Sequence, residues 1–428
     1  MYLIDRLDNG IRVVIEKIPY INSVSIGVIV ECGSKDENDK NNGIAHFVEH
    51  MLFKGTVKRT AKEIAETIDN IGGILNAFTT KETTVYYANV LSNHIEIAMD
   101  VLSDMLLNSI FKDEDIEKEK SVVLEELYMY HDSPEDLVVD LIHEMMFKGT
   151  SLAYNVLGTK KNIKAINRNE ILNFYKKNYV PEKMVISIVG NIDEKECLKM
   201  LKFYFGQLAK NNTNYTSKIE SNNNYEFTSK IKHLYKDTEQ INLCIGMEGL
   251  PITSSKFEAL MLLNNIFGGS MSSRLFQKVR EDLGLAYSID TFPTAYKEVG
   301  ILNLLLSLHP KQIIKSLKAI LDEIINLREN LITKEELEKA KDQLKGSYIL
   351  DMENTFNRML EIGKTMIIFN KIFTQKEILS KIDSISIEDI YEVSRIIFNR
   401  KKFNIAYVGK VKNVNENKIK EIIFEEGK

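Results

Sequence analysis

The sequence of 428 residues has few cysteines, no long apolar run and no excess of basic charge. Its three cysteines lie far apart, which argues against a disulfide framework and a cysteine zinc cage and is typical of a reducing cytosol. No apolar run approaches the ~20 residues that a membrane span requires. With 56 basic and 61 acidic side chains, the formal net charge is −5, so no basic surface for nucleic acid is expected.

The N-terminal residues, MYLIDRLDNG, mix charges with turn formers, and this composition predicts neither a signal peptide nor a transit peptide. We therefore expect a cytoplasmic protein with no membrane or nucleic-acid partner. A hydrophobic fraction of 44% and a charged fraction of 27% are typical of a soluble globular chain and exclude a disordered one. The length exceeds that of one ordinary core and predicts two or more domains of roughly 100–200 residues.

An internal repeat relates the two halves of the chain. MVISIVGN at 184–191 is echoed by KFNIAYVGK at 402–410, and the apolar helical pattern at 93–108 recurs at 311–327. A period of this length indicates one domain present twice. The polar, Asn/Ser-rich stretch 211–225 is the predicted seam between the copies.

The repeat predicts an N-terminal domain over 1–212 and a homologous C-terminal domain over 226–428. Strand patterns lie early and late in each copy, with helical patterns between them, for example at 44–54 and 113–130. We therefore predict an α+β fold of two homologous domains. Each domain is expected to have a mainly antiparallel β-sheet with helices packed on one face.

Two of the seven histidines lie in the segment His46-Phe47-Val48-Glu49-His50. The surrounding residues, GIAHFVEHMLF, favour a helix, on which residues four apart share one face, so both imidazoles can bind one ion. Glu49 lies close enough to act on a ligand of that ion. Two neutral imidazoles suit zinc, but a stable site needs a third protein ligand and leaves a fourth position for water.

The third ligand is expected on the helical pattern at 116–130, which is rich in glutamate. Glu119 and Glu126 are seven residues apart and share a helical face. Glu125 points elsewhere by about 100° of helical rotation. Spacing alone leaves the choice between Glu119 and Glu126 open.

The second copy of the domain provides an internal comparison for these residues. It keeps the helical patterns but has none of the proposed metal-site residues, and its aligned positions hold Leu260, Leu263, Asn264, Ala340 and Ser347. Residues that served folding alone would be expected in both copies. The difference favours a functional role in the first copy.

The motif His-x-x-Glu-His followed by a distant Glu resembles the inverted zinc motif of the insulinase/pitrilysin metallopeptidases. GIAHFVEHMLFKGT is similar to the corresponding stretch in the mitochondrial processing peptidase branch and its bacterial relatives. This resemblance implies that His46, His50 and Glu126 bind one Zn²⁺ per chain. It also implies that Glu49 is the base that activates the zinc-bound water, and that Glu119 supports the ligands from behind.

Two further segments resemble substrate-binding elements of this family. Asn76, Ala77 and Phe78 match the edge strand along which the peptide backbone is bound. Arg280 and Tyr287, within 268–288, match a pair that holds the substrate and supports the developing oxyanion. Local sequence alone would favour an ordinary sheet edge, a charged helix and a packed tyrosine.

The resemblance implies a zinc metalloendopeptidase that cleaves short or unfolded peptides inside a chamber. The family encloses peptides between four such domains, and this chain supplies two, so a homodimer is expected. Each zinc site would then be completed by Arg280 and Tyr287 of the opposite subunit. The alternatives are a processing peptidase dedicated to one partner peptide and a non-catalytic structural subunit.

Cys32 is expected to be a small buried residue, and His143 is not expected to belong to a second zinc helix.

Overall fold

The computed structural model describes residues 2–208, 225 and 227–424. The strands in chain order are β1 Tyr2–Arg6, β2 Arg12–Lys17, β3 Ser23–Val30, β4 Ile74–Thr79, β5 Thr84–Leu91, β6 Met184–Gly190, β7 Lys230–Tyr235, β8 Ile241–Gly249, β9 Ser288–Ala295, β10 Gly300–Leu308 and β11 Asn404–Gly409. The helices are α1 Ile44–Leu52, α2 Ala61–Asp69, α3 Ile95–Asn108, α4 Asp113–Asp132, α5 Pro134–Met146, α6 Lys160–Ala165, α7 Arg168–Asn178, α8 Glu194–Phe205, α9 Phe257–Phe267, α10 Ile313–Glu329, α11 Lys334–Asp351, α12 Thr355–Phe369, α13 Gln375–Ser384, α14 Ile387–Ile397 and α15 Glu416–Phe424. None of these helices is both long enough and apolar enough to cross a membrane.

The described residues form two compact units that do not coincide with the two halves of the sequence. Of the described residues, the first unit draws on 2–128, 154–208 and 349–373, and the second on 129–153, 225, 227–348 and 374–424. Each half of the chain therefore supplies one segment to the unit built mainly from the other half. The predicted seam at 211–225 lies, except for residue 225, outside the described residues, and the division into 1–212 and 226–428 stays a prediction.

The first unit is built on a six-stranded sheet in the order β1-β2-β6-β3-β5-β4. Its strands pair antiparallel except for β2 and β6, which are parallel. The central strand β3 is buried along almost its whole length, as its continuous apolar sequence VSIGVIV predicts for a strand covered on both faces. Strand β4 lies at one edge of the sheet.

Helix α12 covers one face of this sheet, although it belongs to the second half of the sequence. Two glycines allow the close approach: a Cβ on Gly27 would lie 2.3 Å from the sulfur of Met359, and one on Gly363 would lie 2.4 Å from the side chain of Ile29. The helix and the sheet bury a shared apolar cluster, whose sheet members include Val14, Ile29, Val85, Val185 and Val189.

Polar contacts fix the register of α12 on the sheet. Arg358 donates to both carboxylate oxygens of Glu16 on β2, at 2.6 and 2.5 Å. The hydroxyl of Ser187 on β6 donates to the main-chain carbonyl of Met359 at 2.8 Å. Because a bidentate Arg–carboxylate pair is directional as well as charged, it selects one placement of the helix.

The second unit repeats this architecture on a five-stranded sheet in the order β7-β11-β8-β10-β9. Its one parallel pair, β7 with β11, corresponds to β2 with β6 in the first unit. Helix α5 covers one face of the sheet with a cluster that includes Cys244, Ile301, Ala406 and Val408. The opposite face carries the larger core, to which α9, α10 and α14 contribute.

The shared strand order confirms the sequence repeat and the α+β fold class with mainly antiparallel sheets. The predicted strands at 184–191 and 402–410 are β6 and β11, which occupy equivalent places in the two sheets. The sequence did not predict that the second face of each sheet also carries a helix. In each unit this helix comes from the other half of the chain, and residues so far apart in sequence leave no local signal of their contact.

Candidate metal centre

Helix α1 carries the candidate ligands, and a buried carboxylate fixes its N-terminus. Gly43 precedes the helix with a positive φ of 99°, a conformation that favours glycine. Glu37 accepts hydrogen bonds from the backbone N–H of Gly43 at 2.8 Å, from that of Ala45 at 2.7 Å and from Asn42 Nδ2 at 2.7 Å. Burial raises the pKa of Glu37 to about 8. The carboxyl group thus satisfies the first free N–H groups of the helix, which would otherwise lack partners in the interior.

The two histidines and Glu126 converge on one point. The rings of His46 and His50 lie with centroids 4.5 Å apart. Glu126 Oε2, on α4, is 3.7 Å from His46 Nε2 and 3.4 Å from His50 Nε2. Donor atoms of a tetrahedral zinc site lie about 3.4 Å apart, given zinc–ligand distances near 2.1 Å. Donor atoms of these three residues, all within 4.8 Å of one another, therefore fit a zinc ion.

Glu119 contacts the opposite side of His50. Its Oε1 is 2.8 Å from His50 Nδ1, and its Oε2 is 2.6 Å from the ammonium of Lys54. Burial alone would raise the pKa of Glu119, but hydrogen bonds from His50 and Lys54 outweigh burial and lower it. A carboxylate on Nδ1 orients the imidazole and leaves Nε2 for a metal. The geometry thus separates the two glutamates that spacing left open: Glu126 faces both Nε2 atoms, and Glu119 supports His50.

His46 and Glu126 are in the ionisation states that a metal ligand needs, whereas His50 would have to lose a proton when a metal binds. Burial, and then the charge of His50, lower the pKa of His46 to about 4, so His46 is neutral near pH 7. Burial would lower the pKa of His50, but hydrogen bonds to Glu119 and Glu126 raise it to about 9. The buried Nδ1 of His46 has no hydrogen-bond partner among the described residues. The cluster therefore offers a neutral imidazole and an ionised carboxylate to a cation.

Glu49 is buried on α1 beside the two histidines, as the helical spacing predicts. Its Oε2 accepts a hydrogen bond from the hydroxyl of Thr79 at the end of β4. Burial raises the pKa of Glu49, and the hydrogen bond from Thr79 acts in the opposite direction. A carboxylate whose pKa lies above its usual value is a stronger proton acceptor when ionised, which suits a general base.

The predicted peptide-binding residues Asn76, Ala77 and Phe78 lie on β4, the edge strand of the six-stranded sheet. Strand β4 pairs with β5 on one side and has no partner strand on the other within the described chain. Strand β4 therefore has the free edge that an added peptide strand would need. Thr79, at the end of this strand, contacts Glu49. The role of these residues in binding stays a prediction.

Arg280 and Tyr287 lie in the second unit and are accessible. Arg280 is on a π-helical segment, Phe276–Asp282, and its guanidinium lies over the ring of Phe276 at 4.7 Å. The side chain of Arg280 is 41% exposed, and Tyr287, just before β9, is 73% exposed. Both residues can reach a ligand, and their contact with substrate stays a prediction.

The prediction that Cys32 is a small buried residue is confirmed. Cys32 is fully buried, and burial raises the pKa of its thiol well above the usual value. His143 is a buried core residue on α5, where its ring packs near Phe147 and Tyr296.

Three residues of the centre were not identified from the sequence: Glu37, Lys54 and Thr79. Lys54 lies four residues after His50 and only just beyond the end of α1, so its spacing offered a weak signal. Thr79 follows the predicted peptide-binding residues directly, but its contact with Glu49 depends on how β4 lies against α1.

Two family profiles match the chain. The profile described as insulinase (peptidase family M16) matches residues 12–160, which include the candidate metal ligands and Glu49. The profile described as peptidase M16 inactive domain matches residues 165–344. The second match agrees with a second copy that keeps the fold but has other residues at the aligned metal-site positions.

Close relatives carry similar descriptions over nearly the whole chain. An uncharacterized zinc protease of Bacillus subtilis is 40% identical over 390 residues, which cover 91% of this chain and 94% of the relative. An uncharacterized zinc protease of Rickettsia bellii is 37% identical over 398 residues, which cover 92% of this chain and 95% of the relative.

Solved structures share the fold at low sequence identity. A protease from Helicobacter pylori aligns with a TM-score of 0.87 at 19% identity and covers 96% of this chain and 99% of its own. A peptidase M16 inactive domain protein from Pseudomonas fluorescens aligns with a TM-score of 0.87 at 20% identity, covering 95% and 98%. With the profiles and the relatives above, the chain belongs to the insulinase family, peptidase family M16.

Proposed function

We propose that the chain is a zinc-dependent endopeptidase that hydrolyses short or unfolded peptides. The observation that carries this proposal is the convergence of His46 Nε2, His50 Nε2 and Glu126 Oε2, with Glu49 buried on the same helix as the histidines. The names of the relatives, zinc proteases, support the same metal and the same reaction class.

Zinc held by these three side chains would lower the pKa of a water ligand toward about 7 and polarise the scissile carbonyl. Glu49 would take the proton from the attacking water and return it to the leaving amine. Glu119 would keep the ring of His50 oriented through its Nδ1 atom. Each of these side chains thus has a single role, which is to bind the metal, to hold a metal ligand in place or to move a proton.

The substrate would bind in an extended conformation beside β4. An unpaired strand edge offers main-chain hydrogen bonds to any peptide sequence, and side-chain pockets add selectivity. Arg280 would donate hydrogen bonds to substrate carbonyls, and the hydroxyl of Tyr287 would stabilise the developing oxyanion. Both side chains are exposed, as such a role requires.

The proposed assembly is a homodimer that encloses the peptide in a chamber, with one zinc per chain. The chain carries both the metal centre and the Arg280/Tyr287 pair, so two identical subunits can complete each other's sites. Such a chamber would admit short or unfolded peptides and exclude folded proteins.

The peptidase proposal predicts chelator-sensitive cleavage of a diverse peptide mixture, read by mass spectrometry. We expect many short peptides to be cut by zinc-loaded protein, no cleavage after chelation, and recovery on adding zinc, because the chemistry requires the metal. Folded proteins in the same mixture should stay intact. Absent or chelator-insensitive cleavage would support a structural subunit instead, and cleavage of a single sequence would support a dedicated processing enzyme.

The dimer proposal predicts complementation between two inactive variants. Glu49→Gln and Arg280→Ala proteins should each be weakly active alone, but mixed dimers contain one site with both groups intact. Random exchange in a symmetric dimer gives about a quarter of wild-type activity. Recovery is measured after subunit exchange, which native mass spectrometry verifies. Verified exchange without recovery would show that each site uses the Arg280 of its own chain.

A further inference from the structure

A hydroxyl on the edge strand β4 contacts the candidate base directly. Thr79 Oγ1 donates a hydrogen bond to Glu49 Oε2. Glu49 is buried and Thr79 is half-buried, so water does not freely replace this contact. Neither the family resemblance nor the zinc ligands account for the hydroxyl.

The direction of this hydrogen bond follows from which groups around Thr79 can donate a proton. Thr84, paired with Thr79 across the hairpin, is fully buried and donates its proton to the carbonyl of Cys32 at 2.9 Å. The two threonine oxygens lie 3.3 Å apart. A hydroxyl has one proton to donate, and an ionised carboxylate only accepts. The proton of Thr79 is therefore directed at Glu49, and neither threonine has a proton left to donate to the other.

We propose that Thr79 is a positioning residue that holds the Glu49 carboxylate in the orientation needed for proton transfer. One carboxylate oxygen is occupied by the hydroxyl, so the other oxygen is left to accept the proton from water. This inference rests on the proposed peptidase function. Because Thr79 directly follows Phe78 on β4, the base is held by the same strand that would bind the peptide, and the two stay in register.

The test compares Thr79→Val and Thr79→Ala, which both lack the hydroxyl, with Thr79→Ser, which keeps it. We expect kcat to fall about 10-fold or more in the first two variants, because a poorly oriented base loses much of its contribution. KM and zinc content should stay within about 2-fold of wild type, because Thr79 contacts neither the metal ligands nor, in this proposal, the peptide side chains. Thr79→Ser should recover most of kcat.

Thr80→Val is the matched control on the same hairpin. The hydroxyl of Thr80 donates to the carbonyl of Thr83 at 3.0 Å and has no contact with Glu49. If loosening the hairpin were enough to lower kcat, Thr80→Val would lower it equally, and the proposal would be wrong.

The possible results separate this inference from the peptidase proposal. A wild-type protein that does not cleave peptides contradicts the proposed function and, with it, the role of Thr79. An active wild type with unchanged kcat in Thr79→Val overturns only the positioning role. Misfolding of both hydroxyl-free variants, or loss of zinc from them, would show that the hydroxyl serves the structure and would also overturn it.

Discussion

Glu49→Gln protein is expected to bind zinc as the wild type does and to lose at least 100-fold in kcat. A positioned general base contributes typically 10²–10⁴-fold, and an amide cannot accept the proton. Zinc should stay because the donor atoms that converge belong to His46, His50 and Glu126, and Glu49 is not among them. Zinc content by atomic emission and peptide cleavage on the same preparation measure both parts of the prediction.

Two further variants test whether Glu126 is the third metal ligand. Glu126→Gln should lose both activity and zinc, because it replaces the only anionic donor of the cluster with a weak ligand. Glu125→Gln makes the same chemical change on the neighbouring residue, which is exposed, and should alter neither property. A zinc-loaded Glu49→Gln protein with near wild-type turnover would remove Glu49 from the mechanism. Loss of zinc from this variant would make Glu49 part of the metal site.

The parts of the centre that local sequence determines were predictable. Four-residue spacing on a helix brings His46 and His50 together whatever the rest of the fold, and α1 begins and ends within the predicted segment. The same regularity places Glu119 and Glu126 on one face of α4 but does not say which of them reaches the histidines. Which glutamate reaches the histidines depends on where α4 crosses α1. Only the distances from Glu126 and Glu119 to His50 in the structure distinguish the two.

Which helices belong to which unit could not be predicted from the sequence, for a related reason. The apolar face of α12 predicts that the helix is buried, but both sheets of the described residues offer an apolar face to receive it. Specific contacts determine which sheet α12 packs against. Examples are the close packing of Met359 on Gly27 and the ion pair of Arg358 with Glu16. The repeat correctly predicted two similar folds. It gave no indication that α5 and α12 each belong to the unit built mainly from the other half of the chain.

Because each half of the chain supplies a helix to the unit built mainly from the other half, we expect that neither 1–212 nor 226–428 folds alone. A chain of residues 1–212 would expose the sheet face that α12 covers, including the fully buried Val14, Ile29, Val85, Val185 and Val189. Each such side chain contributes about 1.5–3 kcal/mol when buried, so the loss of five is comparable to the whole stability of a domain, about 5–15 kcal/mol. We therefore expect no cooperative unfolding transition by circular dichroism from this chain, and none from 226–428, which lacks α5.

Co-expression of the two chains should restore a folded protein that binds zinc, because each supplies the helix that the other lacks. Gly363→Leu in the second chain should prevent this recovery, since a Cβ at Gly363 already lies 2.4 Å from Ile29. Gly346→Leu is the matched control, because in the described part of the chain a Cβ at this glycine of α11 has no atom within 4 Å apart from its adjoining helix backbone. A chain of 1–212 that unfolds cooperatively by itself and binds zinc would show that α12 is dispensable to the metal centre. Recovery with Gly363→Leu would show that the close contact of α12 with the sheet is not what holds the unit together.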